Sequence, residues 1–175
     1  GGPRIIDVEK EALVCISEAL DALGDRFAIY GFSGYGRTRV DVYRAKAFRE
    51  PLTEPVRERI GGLRWKMENR DGAAIRHVTQ ALLDQKARVN ILFVLSDGRP
   101  LDCGCDHYFD RYAQEDTRVA LQEARKQGVH PFCITVDPHG ARYLEDMFGA
   151  GNYTVVDEVT ALPARLPALY RRLTR

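Results

Sequence analysis

The sequence predicts an α/β fold: a doubly wound, mostly parallel sheet with helices on both faces and one antiparallel edge strand. Helical and strand patterns alternate along most of the 175 residues, which is typical of parallel strands connected by helices. Residues 89–95 (VNILFVL) are almost entirely apolar, as expected for a strand buried on both faces. A short glycine-containing turn between two other strand patterns predicts the antiparallel edge.

The N-terminal part of the chain is predicted to form a helix followed by a hairpin. Residues 8–23 carry apolar side chains at helical spacing and are followed by Gly24, a typical helix terminator. Residues 26–33 and 38–43 have strand patterns, and residues 34–37 (GYGR) form the turn between them. We therefore expect these two strands to pair antiparallel.

Helices and strands then alternate towards the C-terminus. A proline-rich break precedes a short predicted helix over residues 56–63, and residues 72–83 form a longer one with apolar residues on one face. After the strand at 89–95, residues 98–114 are predicted to be a loop, long enough to favour a functional role. The remaining elements are predicted helices over 116–127, 141–148 and 162–173 and strands over 131–136 and 153–156.

Composition indicates one folded domain spanning residues 1–175. With 45% hydrophobic residues, the chain can build one sizeable core and hardly two. The 26 basic residues nearly balance the 25 acidic ones, so we expect neither nucleic-acid binding nor attraction to an anionic membrane. Its apolar runs are far shorter than the ~20 residues of a membrane-spanning helix. We expect a cytoplasmic protein with reduced thiols, because its cysteines lie in unrelated contexts: Cys15, Cys103, Cys105 and Cys133.

Asp97 is the first candidate for a functional residue. It follows the buried strand directly, in Ser96-Asp97-Gly98. Ligands of open α/β sheets bind in the crevice beyond the carboxyl ends of the strands, where this carboxylate is expected. Asp-Gly is also a common turn pair, so a capping role is the alternative. The position at a strand end favours function.

Two further groups of residues offer metal-ligand chemistry. Asn69 and Asp71 precede the helix predicted over 72–83 and suit either helix capping or a hard cation, and the two roles do not exclude each other. Cys103, Cys105 and His107 suggest zinc, but a single residue separates the cysteines and there is no second pair. Structural zinc pairs usually have two to four intervening residues, so a solvated loop is favoured here.

Several segments together resemble the C-terminal von Willebrand factor A domain of the NorD/CbbO group. They occur in the group's order and cover nearly the whole chain, which makes the resemblance specific. The resemblance implies a von Willebrand factor A, or Rossmann-like, sheet, and that the chain is the C-terminal part of a longer protein. The segments are 68–77 (ENRDGAAIRH), 93–98 (FVLSDG), 112–118 (YAQEDTR), 131–137 (PFCITVD) and 166–173 (LPALYRRL).

The resemblance implies a metal-ion-dependent adhesion site at the carboxyl edge of the sheet. In the family an Asp-x-Ser-x-Ser motif follows the first, central strand, a second loop supplies a Thr and a third loop an Asp. Asp97 matches the third-loop Asp, whereas Asn69 stands where the Thr would be and Asp71 follows two residues later. These oxygen ligands suit Mg²⁺, with Mn²⁺ or Ca²⁺ as alternatives.

The first motif of that site does not occur in the chain. No Asp-x-Ser-x-Ser is found between Gly1 and Arg175. By the family's order, this motif and the central strand that bears it should precede Gly1. We therefore expect the metal site to be incomplete in this chain. We also expect the strand at 26–33 and the strand that precedes Asp97 to flank a gap filled by another segment.

The resemblance also implies a non-catalytic adaptor function. Members of the group work with MoxR-type AAA+ ATPases to remodel or activate a target such as nitric oxide reductase or Rubisco. The bound metal would keep a position open for an acidic side chain of the target. We expect the loops 64–71 and 98–114 to hold the partner contact, with Arg70, Arg99 and Asp102 as contact residues.

A metal-dependent hydrolase that uses Asp97 and Asp71 is the alternative. The sequence contains no Gly-x-Ser-x-Gly, His-Glu-x-x-His or Walker lysine motif that would supply a nucleophile, a base or a phosphate-binding loop. The binding function is therefore favoured, and we expect no enzymatic activity.

Overall fold

The computed structural model describes residues 5–35, 39–62, 71–96, 107–135, 141–155 and 161–173. These residues form six helices and five strands. In chain order the elements are α1 (Ile5–Leu23), β1 (Ile29–Tyr35), β2 (Arg39–Lys46), α2 (Glu54–Gly61), α3 (Asp71–Leu83), β3 (Asn90–Ser96), α4 (His107–Lys126), β4 (Val129–Thr135), α5 (Ala141–Phe148), β5 (Tyr153–Val155) and α6 (Leu162–Leu173).

The strands form two separate sheets. β3, β4 and β5 make a parallel sheet in that order, and the β3–β4 register runs from Asn90 opposite Val129 to Ser96 opposite Thr135. β1 and β2 pair antiparallel, as the glycine turn predicted. Within the described ranges, no strand pairing joins β1 to β3. This agrees with the expectation that these two strands are not neighbours; that another segment lies between them stays a prediction.

Helices cover both faces of the parallel sheet because β3 and β4 are apolar on both sides. Leu92 and Val94 of β3 face a cluster with α3, α4 and α5, whereas Phe93 and Leu95 face a cluster with α1 and α6. This alternation follows from the two-residue period of a strand. Phe132 of β4, completely buried, packs edge to face on Phe93. The three layers confirm the predicted doubly wound α/β arrangement.

The two sheets share helices although no described strand links them. α1 contributes Leu13 and Val14 to a third cluster, in which Ile29 of β1 and Ile60 of α2 are buried. Other residues of the same helix belong to the α1–α6 cluster on the parallel sheet. α3 likewise contacts β1 and β2 as well as β3. α1 and α3 therefore hold the hairpin against the rest of the domain.

The largest difference from the predicted elements concerns α4. This helix begins at His107, whereas the sequence pattern predicted a loop up to residue 114 and a helix start at 116. Residues 107–115 contain neither Gly nor Pro, and a helix that is already formed extends readily through such residues. Tyr108, Phe109, Tyr112 and Ala113 also recur there at helical spacing, a signal that the loop prediction did not take into account. The second half of the predicted partner-binding loop is thus helical.

Smaller differences lie at other element ends. α2 begins at Glu54 because Pro55 occupies the first turn, where its missing N–H is not needed. β2 continues to Lys46, three residues beyond the predicted residue 43, because Ala45 and Lys46 are buried in the domain. β4 begins at Val129 rather than 131, directly after Gly128. A φ of 88° at Gly128 ends α4 at no steric cost.

Candidate functional site

Most of the predicted site residues lie outside the described ranges. This applies to the metal-ligand candidates Asn69 and Asp97 and to the partner-contact candidates Arg70, Arg99 and Asp102. Asp71 is described as the first residue of α3. Ser96, which precedes Asp97, is the last residue of β3 and pairs with Thr135 at the carboxyl edge of the sheet. The structure therefore fixes the two elements from which the carboxylate candidates project.

The start of α3 lies at the same edge of the sheet as the end of β3. α3 packs against β3 and is connected to its amino end through residues 84–89, so the two elements run in opposite directions. The 13 residues of α3 span ~20 Å and the seven residues of β3 span ~23 Å. Helix and strand are thus of similar length. The backbone of Asp71 therefore lies at the level of the carboxyl edge; that Asp71 binds a metal there stays a prediction.

The first turn of α3 is in close contact with α4. A Cβ atom added to Gly72 would lie 2.9 Å from Cγ of Asp116 and 3.2 Å from its carbonyl oxygen. Gly72 is buried and does not have the left-handed backbone that usually requires glycine. Glycine near a helix start costs stability relative to alanine, and here it leaves the space that Asp116 occupies. The absence of a side chain at Gly72 thus allows Asp116 of α4 to pack against the backbone one residue after Asp71.

Arg76 connects α3 to two carboxylates of α4. Its Nη1 lies 3.0 Å from Oδ1 of Asp116, and its Nε donates a hydrogen bond of 3.0 Å to Oε2 of Glu123. Burial lowers the pKa of Arg76, but the hydrogen bonds to Glu123 and Asp116 outweigh this effect, so the pKa is raised above its usual value. Between 37% and 49% of each of these three side chains is exposed, so the ion pairs contribute only about 0–1 kcal/mol each. The main effect of these ion pairs is to fix the position of α3 relative to α4.

A shallow cleft of about 200 Å³ lies beside this network between α3 and α4. Ala120 and Ala124 of α4 line it together with Thr79 of α3. Thr79 is 3% exposed, and its hydroxyl has no hydrogen-bond partner in the described part of the protein. The cleft is lined mainly by polar side chains of the two helices, which include Arg76 and Glu123. It therefore offers no apolar pocket for a small-molecule substrate.

The described residues contain no group of three or more His, Cys, Asp or Glu side chains that could hold a metal ion. Cys15 is a half-buried thiol and Cys133 is buried, while Cys103 and Cys105 lie outside the described ranges. Burial and nearby Glu11 raise the pKa of the Cys15 thiol, which makes it less reactive.

Among the described helices, none has both the length and the apolar character needed to cross a membrane.

Sequence reasoning did not identify Gly72, Arg76, Asp116 and Glu123 as a unit. Two of them lie in the resembling segment 68–77 and one in the resembling segment 112–118, but the contact between the segments could not be inferred from spacing. The available signal was a glycine at the first position of the helix predicted over 72–83, where it contributes nothing to helix stability. Such a glycine indicates a close approach by another element.

Comparison with known proteins identifies close relatives. The chain is 46% identical over 172 residues to an uncharacterized protein of Pseudomonas aeruginosa, covering 98% of this chain and 28% of that protein. It is 42% identical over 170 residues to Protein NorD of Brucella melitensis, covering 97% of the chain and 26% of the relative. Protein NorD of Stutzerimonas stutzeri is 45% identical over 155 residues, covering 89% and 25%. The chain thus spans about a quarter of the length of these relatives.

Solved structures show the same fold at much lower sequence identity. Proximal thread matrix protein 1 from the mussel byssus superimposes with a TM-score of 0.61 at 14% identity, covering 93% of this chain and 41% of that one. A second crystal form of that protein gives a TM-score of 0.59. The von Willebrand factor type A domain family matches residues 4–169. The parallel sheet, the helices on both of its faces and this match together show that the chain belongs to the von Willebrand factor type A domain family.

Proposed function

We propose that this chain is the metal-dependent protein-binding domain of a NorD-type accessory protein. In this function it works with a MoxR-type AAA+ ATPase to remodel or activate a target enzyme such as nitric oxide reductase or Rubisco. The similarity to two NorD proteins over almost the whole chain supports this proposal. We also propose a cytoplasmic location, which the reduced thiol of Cys15 supports.

The observation that carries the binding function is the shared edge of α3 and β3. The last residue of β3 directly precedes Asp97, and α3 begins at Asp71, which supports the proposal that the two carboxylates serve one site at this edge. Ligand sites of open α/β sheets occur at this edge. The segments predicted to contact the partner, 64–71 and 98–114, adjoin the start of α3 and the end of β3 in the sequence. A protein that recognises another protein through this edge needs no substrate pocket, in agreement with the polar cleft.

Asp97, Asn69 and Asp71 are the residues that would hold the metal. Their carboxylate and amide oxygens suit Mg²⁺, which binds few protein ligands and keeps several waters. Bound there, the ion would supply an open coordination position for an acidic side chain of the target. Arg70, Arg99 and Asp102 would then contact the partner around it. The hydrolase alternative relies on the same carboxylates, Asp97 and Asp71, and no separate observation favours it.

The proposal is tested by the variant Asp97→Ala in the full-length protein. Activation of the target by the protein and its ATPase is measured in Mg²⁺, which the ATPase itself needs to hydrolyse ATP. We expect the variant to lose activation, while its thermal unfolding midpoint in excess chelator equals that of the wild type, because loss of one carboxylate at a strand end removes little packing. Asp84→Ala is the matched control, since Asp84 is exposed and lies beyond the opposite end of α3. Equal activation by Asp97→Ala and wild type would refute the proposal.

A further inference from the structure

The contact between Asp116 and Gly72 lies one residue from a predicted metal ligand. Asp116 comes from the middle of α4, 44 positions after Gly72 in the printed numbering, yet its carboxylate occupies the space beside the first turn of α3. Gly72 is buried, and a side chain at this position would displace Asp116 or move the helix start. The position of α3 at this end is therefore determined by the fit between these two residues.

Arg76 holds the Asp116 carboxylate against the start of α3. It lies one helical turn after Gly72, and its Nη1 is 3.0 Å from Oδ1 of Asp116. Its Nε is 3.0 Å from Oε2 of Glu123, about two turns further along α4. The guanidinium is planar and offers donors in a fixed arrangement, so binding to both carboxylates fixes α3 relative to α4. Of these two carboxylates, Asp116 is the one beside Gly72 in the first turn, whereas Glu123 contributes to the hold on Arg76.

We propose that Asp116 is a positioning residue that, held by Arg76 and packed against Gly72, sets the start of α3 and with it the position of Asp71. This inference rests on the proposed function, because Asp71 matters there as a metal ligand at the carboxyl edge. A ligand is effective only if the surrounding residues hold it in the productive geometry. Asp116 needs no contact with the metal to act in this way.

The test compares Asp116→Ala, Asp116→Asn and Glu123→Gln in the full-length protein. Asn keeps the size of the side chain and an oxygen that can accept from Arg76, whereas Ala loses both. Glu123→Gln is the matched control, because it weakens the hold on Arg76 without altering the contact at Gly72. Two quantities are measured: Mg²⁺ affinity by calorimetry, and amide hydrogen exchange at residues 75–77 in the metal-free protein. These amides donate to the carbonyls of residues 71–73 in a regular α-helix.

We expect Asp116→Ala to lower Mg²⁺ affinity by about 10-fold or more, the usual effect of losing an outer support of a metal ligand. Exchange at residues 75–77 should become faster in the same variant. Asp116→Asn and Glu123→Gln should resemble the wild type in both measurements. Gly72→Ala should also weaken Mg²⁺ binding. The double variant Gly72→Ala/Asp116→Ala should lose less binding free energy than the sum of the two single variants, because Asp116→Ala removes the steric conflict with the new Cβ.

The outcomes separate this inference from the proposed function. Unchanged exchange in Asp116→Ala would show that Asp116 does not set the start of α3. Faster exchange with unchanged Mg²⁺ affinity would show that the helix start does not control the ligand, which also overturns the inference. If the wild type binds no Mg²⁺, the proposed metal function is refuted, and the exchange measurement alone decides whether Asp116 fixes the start of α3.

Discussion

The free edges of β1 and β3 lead to a prediction about the complete sheet. β1 pairs only with β2, and β3 only with β4, among the described residues, while α1 and α3 pack against both sheets. We predict that a strand inserts between β1 and β3 in a longer protein that contains this chain. The expected source is the segment that precedes Gly1 there.

The energetics of insertion determine what kind of strand can fill the space. β1 and β3 each contain seven residues, so a matching strand would make roughly 12 new backbone hydrogen bonds along its two edges. At about 1 kcal/mol net per bond, these contribute about 12 kcal/mol. Ordering the backbone of seven residues costs about 7–14 kcal/mol. The two terms nearly cancel, so burial of side chains must supply the net stability.

The inserted strand must therefore be apolar on both faces. About five aliphatic side chains, each contributing roughly 2 kcal/mol on burial, would stabilise it by about 10 kcal/mol. The assay is hydrogen exchange of β3 in the 175-residue chain and in the longer protein. Alternate β3 amides, those that do not face β4, should exchange quickly in the chain alone and become strongly protected in the longer protein. Equal exchange in both, or direct contacts between β1 and β3 in the longer protein, would refute the reasoning.

Two further predictions concern the isolated chain. Calorimetry should detect only weak Mg²⁺ binding, because the ligands of the Asp-x-Ser-x-Ser motif are missing from this sequence. Tight binding would show that residues other than Asp97, Asn69 and Asp71 also bind the metal. The second prediction concerns Lys46, which is 3% exposed and whose ammonium donates hydrogen bonds to the carbonyls of Phe27 (2.6 Å) and Ala47 (3.1 Å). Burial lowers the pKa of Lys46 from 10.5, and the charges of Glu50 and Asp21 oppose this shift only in part. Because the unfolded chain holds this proton to higher pH, the free energy of unfolding should rise as pH increases from the folded pKa towards about 10.4. Urea unfolding of Lys46→Met should lack this rise, and parallel pH profiles for the two proteins would contradict the assignment.

The sequence predicted well those elements whose burial or tight turn produces a pattern within a few consecutive residues. Residues 89–95 are apolar without alternation, and the structure shows β3 packed on both faces. The glycine turn likewise predicted the pairing of β1 with β2. Burial on both faces and a tight turn each leave a local pattern, so neither requires knowledge of distant contacts.

The features that the sequence did not reveal depend on contacts between distant segments. The start of α4 is an exception, because Tyr108, Phe109, Tyr112 and Ala113 recur at helical spacing and its helical state could be predicted from the sequence. The sequence places Asp116 and Gly72 each at the start of a predicted helix and gives neither of them a function. Their contact joins residues from two helices separated by a strand, and only the packing of α3 on α4 brings them together. A functional role that arises from such packing leaves no periodic pattern in the sequence.

Completion of the sheet and completion of the metal site are expected to be one event. By the family's order, the strand that fills the space between β1 and β3 also carries the Asp-x-Ser-x-Ser motif, while α3 begins with Asp71 and β3 ends one residue before Asp97. A metal that binds ligands from both parts stabilises the inserted state, because its binding free energy adds to that of strand insertion. Mg²⁺ should therefore raise the unfolding midpoint of the longer protein and leave that of the isolated chain nearly unchanged. Loss of Asp97 would remove this difference even though the strand itself is still present.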